Sequence, residues 1–407
     1  MFVGIDDISF YASDFYLSLA TLAQHNGKDP NKYLQGLGQH QMGVLPCDED
    51  IVTMAANAAY PLVANKGTDK IRTLLFATES GVDQSKAAGL YVHRLLNLHQ
   101  NMRIIELKQA CYSATAALQM ACALVEKNPQ HEVLVIASDV ARYGLNTPGE
   151  ATQGCGAVAM RITAQPRLLS MDAACGCYSE EIMDFWRPNY MDTALVDGKF
   201  SAQAYLKALK YSWNDYQQTG GRPFASLARF CYHLPFGKMG EKAHRKLALI
   251  NKFSLTEEEI SDTLLSSLLY NRYIGNSYAA SLYICLLSLL ENDESDLSGK
   301  PVGLFSYGSG CVGEFFSMEV QPGYQAFSRK QQHFDMLEKR TEIDYQRYTE
   351  LFNLQWSTCG KEMILPKQTK GRYRLGAIRN HQRIYEPVSE IKTTSKVNMN
   401  TQTDNCY

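Results

Sequence analysis

The amino-acid sequence predicts an α/β fold in which a β-sheet is covered by helices on both faces. In the first 165 residues, strand-like runs alternate with helix-like stretches, and several of these runs are apolar along their whole length. Strands with one face in water alternate apolar and polar residues, whereas fully apolar runs are typical of strands buried on both faces. Their alternation with helices therefore indicates a sheet enclosed between helical layers.

The elements of this first part follow in a regular order. The predicted strands are "FVGIDDISFY", "IRTLLFAT", "MRIIEL" and "HEVLVIAS". The predicted helices are "DEDIVTMAANAAYPLVAN", "DQSKAAGLYVHRLLNL" and "YSATAALQMACALVEK". Two further apolar runs, "GAVAMRIT" and "RLLSMDAA", follow each other closely, and we expect them to form a hairpin-like pair.

The region over about 176–300 is rich in helix signals, including "SAQAYLKALKYSWNDY" and "SYAASLYICLLSLLEN". One short strand, "ARFCYHLPF", interrupts it, and strand signal returns in "PVGLFSYGSGCVGEFFSMEV". A helical stretch over 326–354 and a strand pair near "RYRLGAIRNHQRIYEP" are expected next. The last residues, "TTSKVNMNTQTDNCY", are polar without periodicity, which predicts a disordered tail.

The composition is that of a soluble globular chain of 407 residues, with 45% apolar and 20% charged residues. The formal net charge of -2 gives no basic surface for nucleic acid, and no apolar run of about 18 residues predicts a membrane span. The start, "MFVGIDDISF", lacks the regions of a signal peptide. The eleven cysteines follow no metal-ligand spacing, since Cys175-Gly-Cys177 is too close for a C-x-x-C site. We therefore expect reduced thiols, a cytoplasmic location and no metal.

Two reactive residues stand at the ends of predicted strands. Cys111 lies where the strand "MRIIEL" leads into a helix, and the positive end of a helix dipole favours a thiolate. Glu79 directly follows the strand "IRTLLFA", where α/β enzymes place active sites and where burial raises a carboxyl pKa. Taken alone, Cys111 also suits a small core position and Glu79 a surface acid or helix cap.

Further candidates lie in the second part of the chain. His233 ends a short apolar strand, and Lys238 and Lys242 stand four apart on the helix that follows, where they meet phosphates or water. In "LFSYGSGCVGEFF" the glycines around Ser309 suit either backbone donors for an oxyanion or a tight turn. Asn276 precedes an apolar helix, for which an N-cap role is the simpler expectation.

Together, one Cys, one His and one Glu at strand ends predict acyl transfer through a thioester on the cysteine. A Cys–His hydrolase would use the same residue types, so these residues alone leave both reactions open.

The motifs carry a resemblance that runs from residue 1 to about 385. They are "GIDDISFY", "DPNKYLQGLGQ", "ATES", "ELKQACYSAT", "ASDVARYGLN", "TQGCGAVAM", "DFWRP", "LVDGKFS", "HLPFGKMG", "NRYIGNSYAASLY" and "LFSYGSGCVGEFF". In this order they resemble hydroxymethylglutaryl-CoA synthases, condensing enzymes of the thiolase superfamily. The short form resembles the bacterial mevalonate-pathway branch.

The resemblance implies roles for individual residues. Cys111 matches the residue that acetyl-CoA acetylates, Glu79 the general acid/base of condensation, and His233 the residue that holds and polarises acetoacetyl-CoA. The residues that match polar positions lining the site are Asp139, Tyr143, Asp184 and Asn276. Backbone N–H groups of Cys111 and of the Ser309 loop are the expected oxyanion donors. No metal or redox cofactor is implied.

The implied fold is the five-layer αβαβα thiolase-like fold of two pseudo-related halves. The expected boundaries are 1–165 for the half that carries Glu79 and Cys111, 166–387 for the half that carries His233, and 388–407 for the tail. Cys111 and His233 are expected to meet between the halves, and the implied assembly is a homodimer that acts on acetyl-CoA and acetoacetyl-CoA.

Two cysteines depart from the family pattern. Cys155 stands where a small residue such as alanine is usual, and Cys311 lies in the glycine-rich loop. Both are close in size to alanine or serine, so we expect activity to be retained, with added sensitivity to oxidation. The rival interpretations are a polyketide β-branching synthase that uses carrier-protein-bound substrates, an inactive thiolase-like scaffold that binds acyl-CoA, and a Cys–His peptidase.

Overall fold

The computed structural model describes residues 2–64 and 66–388. The tail predicted over 388–407 lies outside the described residues from position 389 onward. The described strands are β1 (Val3–Ala12), β2 (Phe15–Ser18), β3 (Gln41–Val44), β4 (Ile71–Ala77), β5 (Arg103–Leu107), β6 (Glu132–Ala141), β7 (Gly154–Ala164), β8 (Leu169–Ser179), β9 (Phe185–Trp186), β10 (Leu195–Val196), β11 (Arg229–Tyr232), β12 (Pro301–Gly308), β13 (Val312–Val320), β14 (Thr341–Glu342), β15 (Met363–Ile364), β16 (Tyr373–Arg379) and β17 (Gln382–Pro387). The described helices are α1 (Leu19–His25), α2 (Asn31–Leu34), α3 (Ile51–Val63), α4 (Ala88–Leu95), α5 (Ser113–Lys127), α6 (Gly198–Gln218), α7 (Gly237–Ile250), α8 (Glu257–Ile274), α9 (Ser281–Asn292), α10 (Lys330–Glu338) and α11 (Tyr345–Phe352).

Nine of the described strands form one mixed sheet in the order β11-β12-β13-β8-β1-β7-β6-β4-β5. β4 pairs in parallel with β5 and with β6, as expected for strands that helices connect. β1 pairs along most of its length with β7 but meets β8 only through Gly4 and Ile5. The sheet therefore has a five-stranded part, which ends at β5, and a four-stranded part, which ends at β11.

The hairpin predicted for "GAVAMRIT" and "RLLSMDAA" is wrong. These runs lie in β7 and β8, and β1 lies between them in the sheet. The link between the two strands hydrogen-bonds to β1, since the Gln165 N–H donates to the Phe2 carbonyl and the Leu168 N–H donates to the Ile5 carbonyl. Consecutive strands are usually neighbours, but here the long-range pairing of β1 with β7 prevails.

Helices cover both faces of the sheet, as the apolar runs predicted. In β6, Val133 and Val135 pack in the core shared with α5, whereas Leu134 and Ile136 pack in the core shared with α3 and α4. This division arises because successive side chains of a strand point to opposite faces. α6 packs on β8 and β13.

A central helical layer joins the two parts of the sheet. α5 packs on β4, β6 and β7, and α9 packs on β11 and β12. The hydroxyl groups of Thr115 on α5 and Tyr283 on α9 are 2.9 Å apart and share a hydrogen bond. The strand ends that precede α5 are thereby placed against the second part of the sheet.

Local signals explain where two helices begin. Asp50 caps α3, because its carboxylate accepts from the N–H groups of Val52 and Thr53 while the Thr53 hydroxyl accepts from the Asp50 N–H. α4 begins only at Ala88, because the preceding segment forms a turn in which the Asp83 carboxylate accepts from two backbone N–H groups.

The C-terminal elements agree with the prediction. The helical stretch over 326–354 contains α10 and α11, and the predicted strand pair consists of β16 and β17, which are antiparallel. Within the part of the chain that the structure describes, no helix combines the length and the hydrophobicity that crossing a membrane requires.

Candidate active site

Cys111 and Glu79 meet at the ends of two neighbouring parallel strands. Glu79 follows β4 by two residues and Cys111 follows β5 by four. Because β4 and β5 pair in parallel, their carboxyl ends lie at the same edge of the sheet. The Cys111 thiol donates a hydrogen bond to Glu79 Oε1 over 3.3 Å; Cys111 is buried and Glu79 is partly buried. The thiol proton therefore has an acceptor in place.

The electrostatics of this pair differ from the expectation for a helix N-terminus. Burial raises the pKa of the Cys111 thiol well above its ordinary value, and the negative charge of Glu79 raises it further. These two effects outweigh the thiolate stabilisation that was expected from α5, which begins two residues later, at Ser113. Burial also raises the pKa of Glu79, with the charge of Asp139 as the second cause. The resting site holds a thiol beside a carboxyl group that binds a proton more readily than usual.

Asp139 holds the Glu79 loop in place. Its Oδ1 accepts from the Thr78 hydroxyl, the Glu79 N–H and the Ser80 hydroxyl at 2.8–2.9 Å. Its Oδ2 accepts from the Ala279 N–H at 3.1 Å, so one fully buried carboxylate joins the two parts of the chain. Asp139, expected to line the site, thus makes its contacts with the protein itself. Thr78 and Ser80 were not singled out from the sequence, although both flank Glu79 in "ATES".

An aromatic wall stands beside the thiol. Tyr143, Tyr278 and Cys111 share one buried cluster, against which Phe185 packs. The ring centroid of Phe185 lies 5.9 Å from that of Tyr143 and 5.7 Å from that of Tyr278. Tyr143 was expected at the site, whereas Tyr278 was missed because it reads as the start of a core helix. These rings give the thiol side of the site an apolar surface.

Asn276 caps a turn that differs from the one expected. Its Oδ1 accepts from the Tyr278 N–H at 2.9 Å, at the start of a 3-10 turn over Tyr278–Ala280. α9 begins after this turn, at Ser281, so Asn276 does not cap the apolar helix, and its expected place among the residues that line the site stays a prediction. The cap instead supports Tyr278, whose φ of 45° lies in the left-handed region.

His233 directly follows β11, which pairs with β12. The end of β12 in turn lies against the turn that carries Cys111. The His233 N–H donates to the Phe305 carbonyl at 2.9 Å, and the Tyr205 hydroxyl donates to the His233 carbonyl at 2.9 Å. Its side-chain Nδ1 is buried and has no hydrogen-bond partner among the described residues. Burial lowers the pKa of this imidazole to about 3, so the ring is neutral at physiological pH. A neutral ring with an unused nitrogen suits a substrate oxygen better than a carboxylate.

The end of β12 lies directly against the Cys111 turn. A Cβ on Gly308 would lie 2.6 Å from the Gln109 carbonyl oxygen and 2.8 Å from the Tyr112 nitrogen, so only glycine fits there. The Gln109 side-chain amide also donates to the Ser309 carbonyl at 3.2 Å. The two parts of the sheet therefore meet at this turn. The expected meeting of the His233 ring with Cys111 stays a prediction.

Asp184 fixes the glycine-rich loop. Its Oδ1 accepts from the Gly310 N–H at 2.9 Å, and its Oδ2 accepts from the hydroxyl groups of Tyr307 at 2.7 Å and Ser201 at 3.1 Å. The Cys311 N–H donates to the backbone carbonyl of Glu180. These two amides are therefore occupied, and the oxyanion role of the Cys111 and Ser309 amides stays a prediction.

A cleft of about 1110 Å³ opens at Glu79. The cationic residues along its walls are Lys86, Lys108, Arg142, Arg187 and Arg383. The Arg187 guanidinium donates to the Glu79 carbonyl, and its positive charge opposes the rise in the pKa of Glu79. Arg187 was missed from the sequence, although it belongs to "DFWRP". The cleft is large enough for an extended substrate, and its walls carry acidic side chains as well as these cations.

Lys238 and Lys242 do not line this cleft as the described residues form it. Lys238 borders a separate pocket of about 360 Å³, and its ammonium group contacts the Glu241 carboxylate at 2.7 and 2.8 Å. The Lys242 ammonium lies 5.6 Å from the centroid of the Phe236 ring. Their expected contact with phosphates stays a prediction.

The two unusual cysteines are buried close to the site. The Cys155 thiol donates to the Ser13 hydroxyl at 3.1 Å, and burial raises the pKa of Cys155 to about 12. Burial also raises the pKa of Cys311, to about 11. Neither thiol therefore competes with Cys111 through a lowered pKa.

Comparison with known proteins agrees with this geometry. The family described as hydroxymethylglutaryl-coenzyme A synthase N terminal matches residues 1–167, and its C-terminal counterpart matches 169–264 and 250–385. A hydroxymethylglutaryl-CoA synthase from Enterococcus faecalis is 39% identical over 389 residues, which are 95% of this chain and all of the relative. A polyketide biosynthesis 3-hydroxy-3-methylglutaryl-ACP synthase from Bacillus subtilis is 32% identical and covers 86% of this chain and 87% of the relative.

Among solved structures, an HMG-CoA synthase complexed with CoA superposes with a TM-score of 0.90 at 39% identity and covers 95% of this chain and 100% of that chain. The fold is accordingly the layered thiolase-like fold, in which α5 and α9 form the central layer between the two parts of the sheet. Two family matches that together span almost all of the described residues, and a relative aligned from end to end, leave one assignment. The chain belongs to the hydroxymethylglutaryl-coenzyme A synthase family.

Proposed function

We propose that this protein condenses acetyl-CoA with acetoacetyl-CoA and water to give 3-hydroxy-3-methylglutaryl-CoA and CoA. The observation that carries the proposal is the hydrogen bond of 3.3 Å between Cys111 Sγ and Glu79 Oε1 at the cleft. A nucleophile and a proton acceptor in contact are what acyl transfer followed by carbon–carbon bond formation requires. The relative from Enterococcus faecalis, which aligns over its whole length with this chain, is named for this activity.

Acetyl transfer comes first. The Cys111 sulfur attacks the thioester carbon of acetyl-CoA, and the bond from that carbon to the CoA sulfur breaks. The thiol proton passes to Glu79, its hydrogen-bond acceptor, and from there to the departing CoA sulfur. The sequence assigned Glu79 to condensation alone, and the structure adds that it also contacts the thiol before acetyl transfer.

Condensation and release follow on the acetylated cysteine. The Glu79 carboxylate removes a proton from the acetyl methyl group, and the resulting carbon bonds to the ketone carbon of acetoacetyl-CoA. Glu79 returns its proton to the new alkoxide, and water then cleaves the Cys111 thioester to release the product. The neutral His233 ring, with its unused Nδ1, suits the ketone or thioester oxygen of the second substrate. These steps balance without a redox cofactor or a metal.

The decisive experiment supplies both substrates to the purified protein. We expect free CoA and 3-hydroxy-3-methylglutaryl-CoA to appear in equal amounts, as measured by liquid chromatography and mass spectrometry. Acetyl uptake without this product would refute the proposed condensation. A protein that binds acyl-CoA but takes up no acetyl group would be the inactive scaffold, which the Cys111–Glu79 contact disfavours.

The second candidate function is a synthase that acts on carrier-protein-bound substrates. The relative from Bacillus subtilis, at 32% identity, is named for such a carrier. The relative named for CoA is more similar, at 39%, so free CoA thioesters are the preferred substrates. Comparing kcat/KM for acetoacetyl-CoA and for acetoacetyl-carrier protein separates the two functions.

The proposal also covers the setting of the reaction. The reaction places the protein in the mevalonate pathway to isoprenoid precursors, and the buried cysteine thiols suit the reducing cytoplasm.

A homodimer is supported by β5, which ends the sheet with an unpaired edge and carries Ile105 with 48% of its surface exposed. We expect sedimentation to give twice the chain mass of 45.7 kDa, and an Ile105→Lys variant to shift toward the chain mass. A wild-type protein of single-chain mass at micromolar concentration would contradict the dimer.

Replacing His233 with alanine should impair the second substrate more than the first. The imidazole is neutral and its buried Nδ1 has no partner among the described residues, whereas Glu79 already accepts the hydrogen bond of the Cys111 thiol. We expect acetyl uptake by Cys111 to change little and KM for acetoacetyl-CoA to rise by about 10-fold or more, roughly one hydrogen bond in a buried site. Quenched time courses measure acetyl uptake, and steady-state kinetics measure KM for acetoacetyl-CoA.

The His233→Asn variant is the matched control, because its amide retains a polar atom close to the position of Nδ1. It should recover part of the affinity for acetoacetyl-CoA. A selective loss of acetyl uptake in the alanine variant would instead make His233 the base for the thiol, as in a Cys–His hydrolase.

Lys242 should matter more for CoA binding than Lys238. The Glu241 carboxylate already holds the Lys238 ammonium, whereas Lys242 is exposed over Phe236. If these residues meet CoA phosphates, Lys242→Ala should raise KM for both substrates about 2- to 5-fold at low salt and leave kcat nearly intact. The effect should shrink as salt shortens the Debye length, which is about 8 Å at physiological ionic strength.

The control is Lys330→Ala, since Lys330 is also exposed and also lies over a phenylalanine ring. Its KM values should match those of the wild type at every salt concentration. Equal KM values for the Lys238/Lys242 double alanine variant and the wild type at low salt would show that these lysines form only a solvated helix face.

A further inference from the structure

A second cluster of reactive side chains lies on the four-stranded part of the sheet, outside the Cys111 pocket. Cys175 and Cys177 stand two residues apart on β8, so their side chains point to the same face. Glu314 on β13 pairs directly with Cys177 and presents its carboxylate to the same face. The two sulfur atoms and a carboxylate oxygen all lie within 4.8 Å of one another.

The backbone fixes this convergence. Gly176, between the two cysteines, points to the opposite face, where a Cβ would lie only 2.0 Å from the Tyr216 nitrogen on α6. α6 therefore packs tightly against β8 and keeps both cysteines turned away from it. The Cys177 N–H also donates to the Asp215 carboxylate at 2.8 Å, which holds the strand at this point.

Two hydrogen bonds orient the carboxylate. The Tyr112 hydroxyl donates to Glu314 Oε2 at 2.7 Å, and the Gln119 amide donates to Oε1 at 2.5 Å. Each oxygen accepts one bond and keeps a further lone pair. Outer partners of this kind orient the carboxylate ligands of metal sites. Glu314 is buried, Cys175 is half-buried and Cys177 is exposed, so an ion can reach the group from one side.

Ligands close in sequence predict no metal site here, because Cys175-Gly-Cys177 is shorter than a C-x-x-C motif. Here the third ligand comes from the neighbouring strand, 137 positions after Cys177 by their numbers. A tetrahedral zinc ion with sulfur at about 2.3 Å and oxygen at about 2.0–2.2 Å needs ligand atoms roughly 3.5–3.8 Å apart. The observed ligand atoms, within 4.8 Å of one another, already lie close to this spacing.

We propose that Cys175, Cys177 and Glu314 form a binding site for a thiophilic divalent cation such as Zn²⁺, with water as the fourth ligand. Each thiol releases its proton to solvent as its bond to the metal forms. The site is separate from the condensation chemistry, which needs no metal, and the inference does not depend on the proposed function.

The test uses Co²⁺ as a spectroscopic probe on the reduced, full-length protein without an affinity tag. We expect one Co²⁺ per chain, a near-ultraviolet absorption band from thiolate-to-metal charge transfer, and loss of that band when Zn²⁺ displaces Co²⁺. Cys177→Ser and Cys175→Ser should each weaken binding by more than about 100-fold, beyond the 10- to 100-fold effect of losing an outer partner. A wild-type protein that shows no thiolate band would overturn the proposal.

Three controls keep the result specific. Cys359→Ser changes another exposed cysteine and should leave the band intact. Cys111→Ala should also leave it intact, and loss of the band there would assign the metal to the Cys111 pocket and refute the site. Glu314→Gln tests the oxygen ligand, and circular dichroism verifies its fold. Because Cys177 is exposed, Cys177→Ser provides the test even if the Glu314 variant fails to fold, and an unchanged band in the double Cys175/Cys177 serine variant would refute the site.

Discussion

Replacing Cys111 with alanine is expected to abolish acetyl transfer to the protein and, with it, product formation. The Cys111 sulfur is the nucleophile that contacts the proton acceptor Glu79, and it lies at the turn where the two parts of the sheet meet. The Cys155 thiol donates to the Ser13 hydroxyl and so lacks this proton acceptor. We expect turnover to fall by more than about 10⁴-fold, since an enzyme that loses its nucleophile loses most of its acceleration.

Mass spectrometry after incubation with acetyl-CoA alone measures the effect directly. The wild type should gain one acetyl group, located on Cys111 by peptide mapping, and the variant none. Cys155→Ala is the matched control, because Cys155 is a buried thiol at a position where alanine is expected to be tolerated. Stable acetylation of another cysteine in the Cys111→Ala protein would show that the assignment is incorrect.

Replacing Glu79 with glutamine should block condensation, whereas acetyl transfer should continue more slowly, because water must then take the thiol proton that Glu79 accepts in the wild type. The glutamine cannot take the methyl proton, so carbon–carbon bond formation should fall by at least about 10²-fold. It also removes the negative charge that raises the pKa of Cys111, which makes the thiolate easier to form. The acetyl-enzyme should therefore accumulate, and rapid quenching with mass spectrometry measures its amount.

The pH dependence adds a second readout for the same residue. Condensation needs Glu79 as a carboxylate, and burial raises its pKa, so the wild-type rate on preformed acetyl-enzyme should increase with pH through a range above that of an ordinary glutamate. The glutamine variant should lack this increase. Glu106→Gln is the control, because Glu106 lines the same cleft but its carboxylate accepts from the Ala88 N–H. If Glu79→Gln condenses at the wild-type rate, another residue is the base.

The meeting of Glu79 and Cys111 was predictable because it depends on local signals. Apolar runs identify β4 and β5, parallel pairing places their carboxyl ends together, and the reactive residues follow within four positions. The direction of the Cys111 pKa was not predictable. The helix effect can be read from sequence, whereas burial and the charge of Glu79, which outweigh it, depend on packing.

Long-range pairing explains the remaining differences. The position of β1 between β7 and β8 depends on contacts between residues about 150 positions apart, for which the sequence offers no periodic signal. The support of the site by Asp139 and Tyr278 likewise depends on contacts across more than 130 positions. The convergence of Cys175 and Cys177 with Glu314 is of the same kind, since only strand pairing brings the carboxylate beside the thiols.

The carboxylate of Asp139 has a consequence for the order in which the chain becomes competent. It accepts from three groups of the Thr78–Ser80 loop and from the Ala279 amide, so its shell draws on both parts of the chain. On the ribosome, Glu79, Cys111 and Asp139 are all synthesised well before Ala279. A buried carboxylate that lacks one of its donors is destabilised, so we expect the loop that carries Glu79 to settle only after the second part has emerged and docked. The nucleophile pocket is then expected to form late in biosynthesis, although its residues belong to the first part made.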